Sequence, residues 1–375
     1  MRIGINTLVA VPSEIGGAQT YLSKLIDNLA KIDKLNQYFL FVAPWNKDLF
    51  QVGQKNFEQI ICNIPRKFLA IRALYEQMIL PILAWRSKID VFHSPASVSP
   101  FILPCPCVLT IHDVAPFVFP ELTPAIFRYY WNITFKMSAR LAHLIITVSH
   151  SAKKDLVKLL GISEEKIEVI YHGSELETPE LKDKSYLEPV QNKGKSDVPY
   201  ILWVGRMYGH KNLTRLLYAY NKLIKAYQGI KHRLVLCGMK SWGYPSFAKT
   251  MEDLNLEDKV IFKGYVPDGE LKSMYSNASL FVFPSLVEGF GFPILEAMSH
   301  GVPVVTSNCG AMVEIAGDAA LLVDPYSVDE IAEAMHRVLT DESLRATLIK
   351  KGLERASQFS WEKTARETLA VYKAA

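Results

Sequence analysis

The sequence contains little cysteine. Its five cysteines among 375 residues are an odd number, and most stand beside apolar or β-branched residues. These positions are Cys62, Cys105, Cys107, Cys237 and Cys309. This usage indicates reduced, buried thiols in a cytosolic protein and argues against a disulfide framework. The spacing of Cys105, Cys107 and His112 matches no zinc-ligand pattern, so ordinary thiols at a strand edge are the better interpretation.

Blocks of one charge sign and long apolar runs are also absent. The chain has 42 lysines and arginines against 38 acids, with no basic block or aromatic-basic module, so nucleic acid is not indicated as a partner. The apolar start MRIGINTLVAVP is too short for a signal peptide. The longest apolar run, residues 68–85, is interrupted by Arg72, Glu76 and Pro81, which predicts buried or interfacial helices and no membrane span. We expect a cytoplasmic protein that could also lie at the inner face of the membrane.

Two further absences bear on chemistry. Neither half of the chain has a Gly-x-Gly-x-x-Gly motif after its first strand, which disfavours a dinucleotide dehydrogenase. No Asp-x-Asp motif occurs either. We therefore expect a site that uses no metal and no cofactor.

Apolar runs rich in β-branched residues alternate with helix-period segments along the chain. The runs are 2–6, 38–44, 59–64, 91–95, 107–113, 144–149 and 167–173, then 200–205, 233–238, 260–265, 280–285, 303–308 and 319–325. Continuous apolar strands separated by helices predict parallel sheets covered on both faces, the doubly wound α/β pattern, and it occurs twice. The polar segment 174–199, with three prolines, predicts a linker.

The expected domains are therefore residues 1–173 together with a C-terminal helix in 360–375, and residues 200–359. Two such Rossmann-like domains would face each other across a cleft, where ligands bind at the carboxyl ends of strands.

The segment PSLVEGFGFPILEAMSHGVPVVTS, residues 284–307, places two acids, Glu288 and Glu296, around a glycine-rich turn. A strand precedes the turn, and a helix follows it with Pro293 in its first turn and Gly301 past its end. Glycines let the backbone approach a ligand, and free amides at a helix N-terminus suit a phosphate. Glu288 would then face what lies beyond the phosphate, and Glu296 would accept hydrogen bonds from hydroxyls. The alternative is that both acids complement the helix dipole, which for Glu296 alone is equally well supported.

Other charged and glycine-rich segments follow strands. In VGRMYGHKNL, Arg206 and Lys211 stand where two cations could neutralise a diphosphate leaving group; solvated loop charges are the weaker alternative. Gly16 and Gly17 precede an amphipathic helix, which alone is weak evidence for a phosphate contact. His112, beside Asp113 at a strand's end, is an active-site candidate, although a lone histidine is more often a core residue.

Together, EGFGFPILEAM, VGRMYGHK, the early GGAQTYL and GVPVVTSNCGAMVEIAGDAALLVDP resemble retaining glycosyltransferases of family 4. These enzymes have the GT-B fold of two Rossmann-like domains. The likeness runs along the whole chain and is densest from residue 200 to 330. It implies that the C-terminal helix, 360–375, crosses back to the first domain.

The resemblance also implies a role for each motif residue. Arg206 and Lys211 would bind the two donor phosphates, with Gly16 and Gly17 opposite them in the first domain. The sugar and β-phosphate would be held by Glu288 and by the backbone of Gly289, Phe290, Gly291 and Phe292. Glu296 would bind the ribose, the Tyr265-Val266 loop would line the base, and His112 would touch the sugar and favour the transition state.

The implied reaction needs no metal or cofactor. The leaving phosphate oxygen takes the proton of the acceptor on the face from which it departs. The donor is expected to be a UDP-linked hexose such as UDP-glucose, with GDP-mannose next, and the acceptor a saccharide or lipid-linked saccharide of a surface polysaccharide. Basic and aromatic residues in 65–88 and 127–140 could meet an anionic membrane, or could equally be solvated rims of packed helices.

Four other functions remain open from the residues. A sugar-nucleotide epimerase or a phosphorylase would share the fold, but no lysine can be assigned to a phosphorylase cofactor. A non-catalytic nucleotide-sugar-binding protein is disfavoured because each motif position is filled. A glycosidase could use paired carboxylates but would not call for phosphate-binding parts.

Overall fold

The computed structural model describes residues 1–11, 16–64, 69–123, 125–174 and 198–375. Most of the predicted linker, 174–199, therefore lies outside the described residues, as do residues 13–15 before the glycine pair and residues 65–68. The chain divides into two compact units. Unit 1 comprises residues 1–114, 125–173 and 360–375, and unit 2 comprises residues 115–124 and 174–359.

Thirteen strands and thirteen α-helices occur in the described residues. The strands are β1 Arg2–Asn6, β2 Gln37–Val42, β3 Phe57–Ile61, β4 Val91–Ser94, β5 Cys107–Ile111, β6 Leu144–Thr147, β7 Ile167–Val169, β8 Tyr200–Val204, β9 Arg233–Cys237, β10 Val260–Gly264, β11 Leu280–Phe283, β12 Val304–Ser307 and β13 Leu321–Val323. The helices are α1 Gly17–Ile32, α2 Leu69–Arg86, α3 Ala115–Val118, α4 Ala125–Leu141, α5 His150–Leu160, α6 Leu213–Ala226, α7 Tyr244–Asp253, α8 Asp268–Asn277, α9 Phe292–Ser299, α10 Gly310–Ala316, α11 Val328–Thr340, α12 Glu342–Ala356 and α13 Trp361–Ala374. Each predicted strand is present, with ends moved by a few residues.

Unit 1 contains a seven-stranded parallel sheet in the order β3-β2-β1-β4-β5-β6-β7. The connection from β1 to β2 through α1 runs toward the β3 edge of the sheet. The connections from β3 to β4 through α2 and from β5 to β6 through α4 run toward the β7 edge. Because such crossovers are right-handed, α2 and α4 cover one face of the sheet and α1 covers the opposite face. α13 packs against α1.

The core beneath α2 is apolar. Leu80 and Ala84 of α2 are fully buried in one cluster with Phe41 and Phe92 of the sheet. The inner side of α2 is therefore occupied by the core of unit 1.

Unit 2 contains a six-stranded parallel sheet in the order β10-β9-β8-β11-β12-β13. Its four inner strands are almost completely buried, β11 and β12 without exception, because helices cover both faces, whereas the edge strands β10 and β13 are only partly buried. The two parallel α/β sheets confirm the predicted fold class.

Gly238, directly after β9, shows how closely neighbouring loops approach in unit 2. Its φ is +140°, and a Cβ there would lie 1.8 Å from the carbonyl oxygen of Gly205. We expect Gly238→Ala to lower the free energy of unfolding by at least about 3 kcal/mol, because overpacking and backbone strain add. Urea unfolding measures this. Gly269→Ala in α8, where nothing lies within 4 Å, is the control and is expected to be neutral or slightly stabilising; equal stability of the two variants would contradict the prediction.

Candidate functional site

The predicted donor-site residues of unit 2 gather where the strand order of its sheet reverses. From β8 the chain continues outward to β9 and β10, then returns to place β11 on the other side of β8. In open parallel sheets, ligands bind at the carboxyl ends of strands at such a point. Arg206 and Lys211 follow β8, and Glu288 follows β11.

Lys211 and Glu288 form a closely bonded ion pair across this point. The Lys211 Nζ donates to both carboxylate oxygens of Glu288, at 2.6 and 2.7 Å. The two side chains are only 14% and 12% exposed. The attraction between the two charges is less screened at this depth than in a surface pair, and removal of either partner leaves a buried charge.

Asn212 holds the loops around this pair and is a residue that sequence reasoning missed. Its Nδ2 donates to the carbonyl oxygens of Pro284, at 3.0 Å, and Pro325, at 2.7 Å. Its φ of 62° lies in the left-handed region, which asparagine tolerates better than most residues. An asparagine directly after Lys211 and before a helix was the available signal.

Arg206 lies on the other side of the same loop. Its guanidinium contacts the Tyr208 hydroxyl at 3.4 Å and the Met239 sulfur at 3.6 Å. The Tyr208 ring in turn packs against Trp242 at 4.8 Å. The two predicted phosphate-binding cations thus contact different neighbouring loops: Arg206 the loop after β9, and Lys211 the loop after β11.

The glycine-rich turn leads into α9 as predicted. Gly291 caps the helix with φ 104°, the helix begins at Phe292, and Pro293 lies in its first turn. The Phe290 side chain is 4% exposed and packs edge-on against Phe292 and Phe359, so Phe290 could meet a ligand chiefly through its backbone.

The predicted base-lining loop presents two different side chains. Val266 is buried at 7% exposure, whereas Tyr265 is 49% exposed. Of the two, Tyr265 offers the accessible surface.

Glu296 is held by a tyrosine that the sequence did not reveal. The Tyr275 hydroxyl, on α8, donates to Glu296 Oε2 at 2.8 Å. Tyr275 is 1% exposed, and its ring stacks on His300 at 5.5 Å. This buried contact fixes one oxygen of the carboxylate.

In unit 1, His112 belongs to a group of buried aromatic and histidine rings. Its Nε2 donates to the Pro95 carbonyl oxygen at 2.8 Å. The rings of Tyr21 and His172 pack against it at 4.9 and 5.4 Å. Burial lowers the pKa of His112 to about 4, against the opposing effect of the Pro95 hydrogen bond. The imidazole is therefore neutral at pH 7.

A second histidine, His93, ties the sheet to α13. Its Nε2 is 2.8 Å from Thr110 Oγ1, and its Nδ1 is 2.6 Å from the Tyr372 hydroxyl. Burial lowers the pKa of His93 to about 3 and that of His172 well below its ordinary value.

The glycine pair lies near this group. Gly16 caps α1 in extended conformation, α1 begins at Gly17, and Tyr21 follows one turn later. Unit 1 therefore brings the start of α1 and His112 to the same neighbourhood.

A pocket that the sequence did not predict lies at the strand-order reversal of unit 1, between β1 and β4. It has a volume of about 160 Å³ and is lined by Asn6, Val9, Arg72, Ala73, Glu76, Pro95, Ala96, Val98 and Trp131. Arg72 Nε bonds Glu76 Oε1 at 2.7 Å. An ion pair beside an indole suits a polar ligand with one apolar face.

The described residues contain no group of three or more His, Cys, Asp or Glu side chains that could share a metal ion; metal independence stays a prediction. None of the described helices is both long and apolar enough to span a bilayer.

Solved structures of GT-B glycosyltransferases share this architecture. WaaG, a glycosyltransferase involved in lipopolysaccharide biosynthesis, matches all of this chain and all of its own with a TM-score of 0.73 at 17% identity. Sucrose-phosphate synthase from Thermosynechococcus elongatus also has a TM-score of 0.73, at 21% identity, covering 100% of this chain and 98% of that one. The chain therefore has the GT-B fold.

Sequence comparison gives the family. The model for glycosyl transferases group 1 matches residues 187–355, and that for glycosyltransferase family 4 matches residues 15–178. O-antigen chain mannosyltransferase B of Escherichia coli is 32% identical over 367 residues, covering 95% of this chain and 96% of that protein. The chain belongs to glycosyltransferase family 4, which confirms the resemblance found in its motifs.

Proposed function

We propose that this glycosyltransferase moves mannose from GDP-mannose to a saccharide or lipid-linked saccharide in surface polysaccharide synthesis, with retention of configuration and without a metal. The sequence favoured UDP-glucose as donor. A relative that matches nearly the whole chain is an O-antigen chain mannosyltransferase. Because of this likeness we favour GDP-mannose over UDP-glucose as the donor. The cytoplasm is the proposed location, because nucleotide sugars would be drawn from there.

The observation that carries the proposal is the Lys211–Glu288 pair at the strand-order reversal of unit 2. The Lys211 ammonium is held by the Glu288 carboxylate. When a diphosphate binds, its oxygens would compete for Lys211, and Glu288 would be released to accept hydrogen bonds from sugar hydroxyls. Donor binding would thus replace the Lys211–Glu288 ion pair by a contact of each partner with the donor, so that both buried charges stay hydrogen-bonded.

The proposed reaction proceeds on one face of the sugar. The bond between the anomeric carbon and the β-phosphate oxygen breaks, and a bond forms from that carbon to the acceptor hydroxyl oxygen. The hydroxyl proton passes to the departing phosphate oxygen. Arg206, Lys211 and the amides that begin α9 would stabilise the charge on the diphosphate, which is the main contribution of the chain to catalysis.

We propose the pocket of unit 1 as the acceptor site. The indole of Trp131 would cover an apolar sugar face, and the Arg72–Glu76 pair would bond hydroxyls. Neutral His112, whose Nε2 bonds Pro95 near the same strand ends, would orient the transferred sugar through hydrogen bonding and not through charge.

Nucleotide release tests the reaction. The protein is incubated with GDP-mannose or UDP-glucose and a lipid extract or saccharide acceptor, and free nucleotide and the anomeric configuration of the product are measured. We expect GDP release that depends on acceptor. Release of UDP alone would show that UDP-glucose is the donor. No release of nucleotide with any donor would overturn the transferase proposal. Melting-temperature shifts with GDP and UDP distinguish the base independently.

Tyr275→Phe tests the role proposed for Glu296. Loss of the hydroxyl that holds Oε2 should raise the KM for the donor about tenfold while kcat changes little, because a hydrogen bond to a charged group is lost from binding. Steady-state kinetics measures both constants. Tyr220→Phe is the matched control, since its hydroxyl donates to the backbone carbonyls of His232 and Lys259. Equal KM changes in the two variants would mean that Tyr275 serves stability alone.

A further inference from the structure

The outer side of α2 exposes a stripe of large apolar side chains. Ile71, Leu74, Met78, Ile82 and Trp85 recur every three or four residues and are 44, 64, 61, 46 and 69% exposed. The inner side of the same helix is buried in the core of unit 1. α2 is therefore apolar on two sides, a pattern that an ordinary water-facing helix lacks.

α4 continues this surface. Tyr129, Ile133, Met137 and Leu141 are 72, 45, 39 and 46% exposed and also recur every four residues. α2 and α4 cover the same face of the sheet, and Ser99 joins them. Its carbonyl oxygen accepts from Gln77 of α2, and its amide donates to Ser138 of α4.

These side chains form a patch. We call the nine residues above, together with Ile102 of the loop between the helices, the α2–α4 face. Of 23 exposed large apolar residues in the described chain, eleven lie on the two helices or this loop. Ile102 is 80% exposed. A contiguous patch of this kind marks an interaction surface, whereas single exposed apolar residues are normal.

The charges of the two helices are strongly one-sided. They carry five basic residues, Arg72, Arg86, Arg128, Lys136 and Arg140, and one acid, Glu76. Glu76 is already paired with Arg72. Arg86 and Arg140 are exposed near the C-terminal ends of the helices. An apolar stripe flanked by an excess of basic residues is complementary to an anionic surface that has an apolar interior.

We propose that unit 1 lies on an anionic phospholipid bilayer through the α2–α4 face. The apolar side chains would enter the boundary between headgroups and acyl chains, and Arg86 and Arg140 would contact the headgroups. The helices would lie in the membrane plane, because neither is long and apolar enough to cross it. A second copy of the chain is a poorer occupant, since the same basic residues would then oppose one another.

The position of the pocket fits this arrangement. Arg72 and Glu76 line it and belong to α2, within one turn of Leu74. A lipid-linked saccharide could therefore keep its lipid in the bilayer while its sugar reaches the pocket. This step alone rests on the proposed function; the membrane contact does not.

Vesicle co-sedimentation of the full chain, without donor or acceptor, tests the proposal. We expect binding to vesicles of 30% phosphatidylglycerol in phosphatidylcholine, weakened by salt, and at least tenfold weaker binding to phosphatidylcholine alone. Leu74→Glu with Met78→Glu should reduce binding to the anionic vesicles at least tenfold. Arg86→Glu with Arg140→Glu should reduce it similarly and remove most of the salt dependence.

Matched control variants distinguish the effect of changing the α2–α4 face from the effect of adding acidic residues elsewhere on the surface. Leu35→Glu replaces an apolar side chain that is 93% exposed elsewhere in unit 1, and Lys225→Glu with Lys249→Glu reverses two exposed charges of unit 2. Both should bind as the parent chain does. Melting curves verify that every variant is folded, and transfer to a water-soluble saccharide should be unchanged in the variants of the face.

Three outcomes would overturn the proposal. One is absence of binding to anionic vesicles, and another is binding that Leu74→Glu with Met78→Glu leaves intact. The third is a dimer that these substitutions split, which would assign the face to a second copy. If the variants of the α2–α4 face lose vesicle binding but still transfer to a water-soluble saccharide, the membrane contact is supported. If the parent chain and all variants fail to transfer, that result counts only against the proposed reaction.

Discussion

Lys211→Ala is expected to lower kcat by about 10²–10³-fold, the usual effect of removing one group that stabilises charge in the transition state. The ammonium is the cation nearest to Glu288, and it is held at the point where the strand order of unit 2 reverses. Steady-state rates of nucleotide release measure the change. Lys211→Arg should recover part of the rate, because it keeps the charge but places it differently.

The same substitution should reduce stability. It leaves the Glu288 carboxylate buried without its partner, which costs about 3–5 kcal/mol of unfolding free energy unless that carboxyl takes up a proton. Lys222→Ala is the matched control, since the Lys222–Asp329 pair has the same 2.6 Å distance but exposed side chains. It should be close to neutral in rate and stability. Equal effects of the two alanine variants would contradict the assignment of Lys211 to the site.

Unit 1 should lose stability steeply as the pH falls below about 6.5. His93 and His172 are almost fully buried and neutral in the folded state, with pKa values lowered by burial, to about 3 for His93. Their unfolded pKa is about 6.5, so below that pH the unfolded chain binds protons that the folded chain does not. The contribution is complete above pH 7 and is lost on acidification. Each histidine contributes a slope of about 1.4 kcal/mol per pH unit, and the pair about 3. His112, with pKa about 4, adds to it.

Other titratable groups near the histidines contribute little to the pH dependence of stability between about pH 6.5 and 5. Burial raises the pKa of Tyr21 to about 12 and that of Tyr372 well above its ordinary value, so both stay neutral. Burial also raises the pKa of Asp27 and Asp155 from the ordinary value of 3.8. Proton uptake by these two carboxyls favours the folded state on acidification. The interval from about pH 6.5 to 5 therefore reports mainly on the histidines.

Urea unfolding between about pH 7 and 5, with hydrogen exchange to separate peptides of the two units, measures the effect. Peptides of β5 and α13 in unit 1 should lose protection, whereas those of β11 and β12 in unit 2 should change little. His93→Gln should flatten the slope of unit 1 by about one proton, whatever its own stability. A pH-independent unit 1, or an unchanged slope in this variant, would contradict the prediction.

Local patterns sufficed for the fold because they depend on neighbours in the sequence. Buried parallel strands are apolar throughout, so the runs at 280–285 and 303–308 revealed β11 and β12 directly. Pro293 and the glycines around it similarly predicted where α9 begins. The motif residues Arg206, Lys211 and Glu288 could be selected because each lies in the segment that follows a strand.

Residues defined by partners far along the chain could not be predicted this way. Tyr275 reads as an ordinary core tyrosine until α8 is packed beside α9, 21 residues later. The pocket of unit 1 needs Arg72 and Trp131 together, and only the right-handed crossovers bring α2 and α4 to one face. The Lys211–Glu288 bond likewise joins residues 77 positions apart, although each was predicted separately.

The attachment of α13 to unit 1 has a consequence for biosynthesis. Tyr372 bonds His93, and Thr364 bonds the Tyr171 carbonyl oxygen, so unit 1 is completed by side chains that follow the whole of unit 2. During translation, unit 2 can therefore finish folding before unit 1. Until α13 has been synthesised, His93 in the sheet of unit 1 lacks its partner Tyr372. The last contacts of unit 1 can therefore form only after the residues of unit 2 have been synthesised.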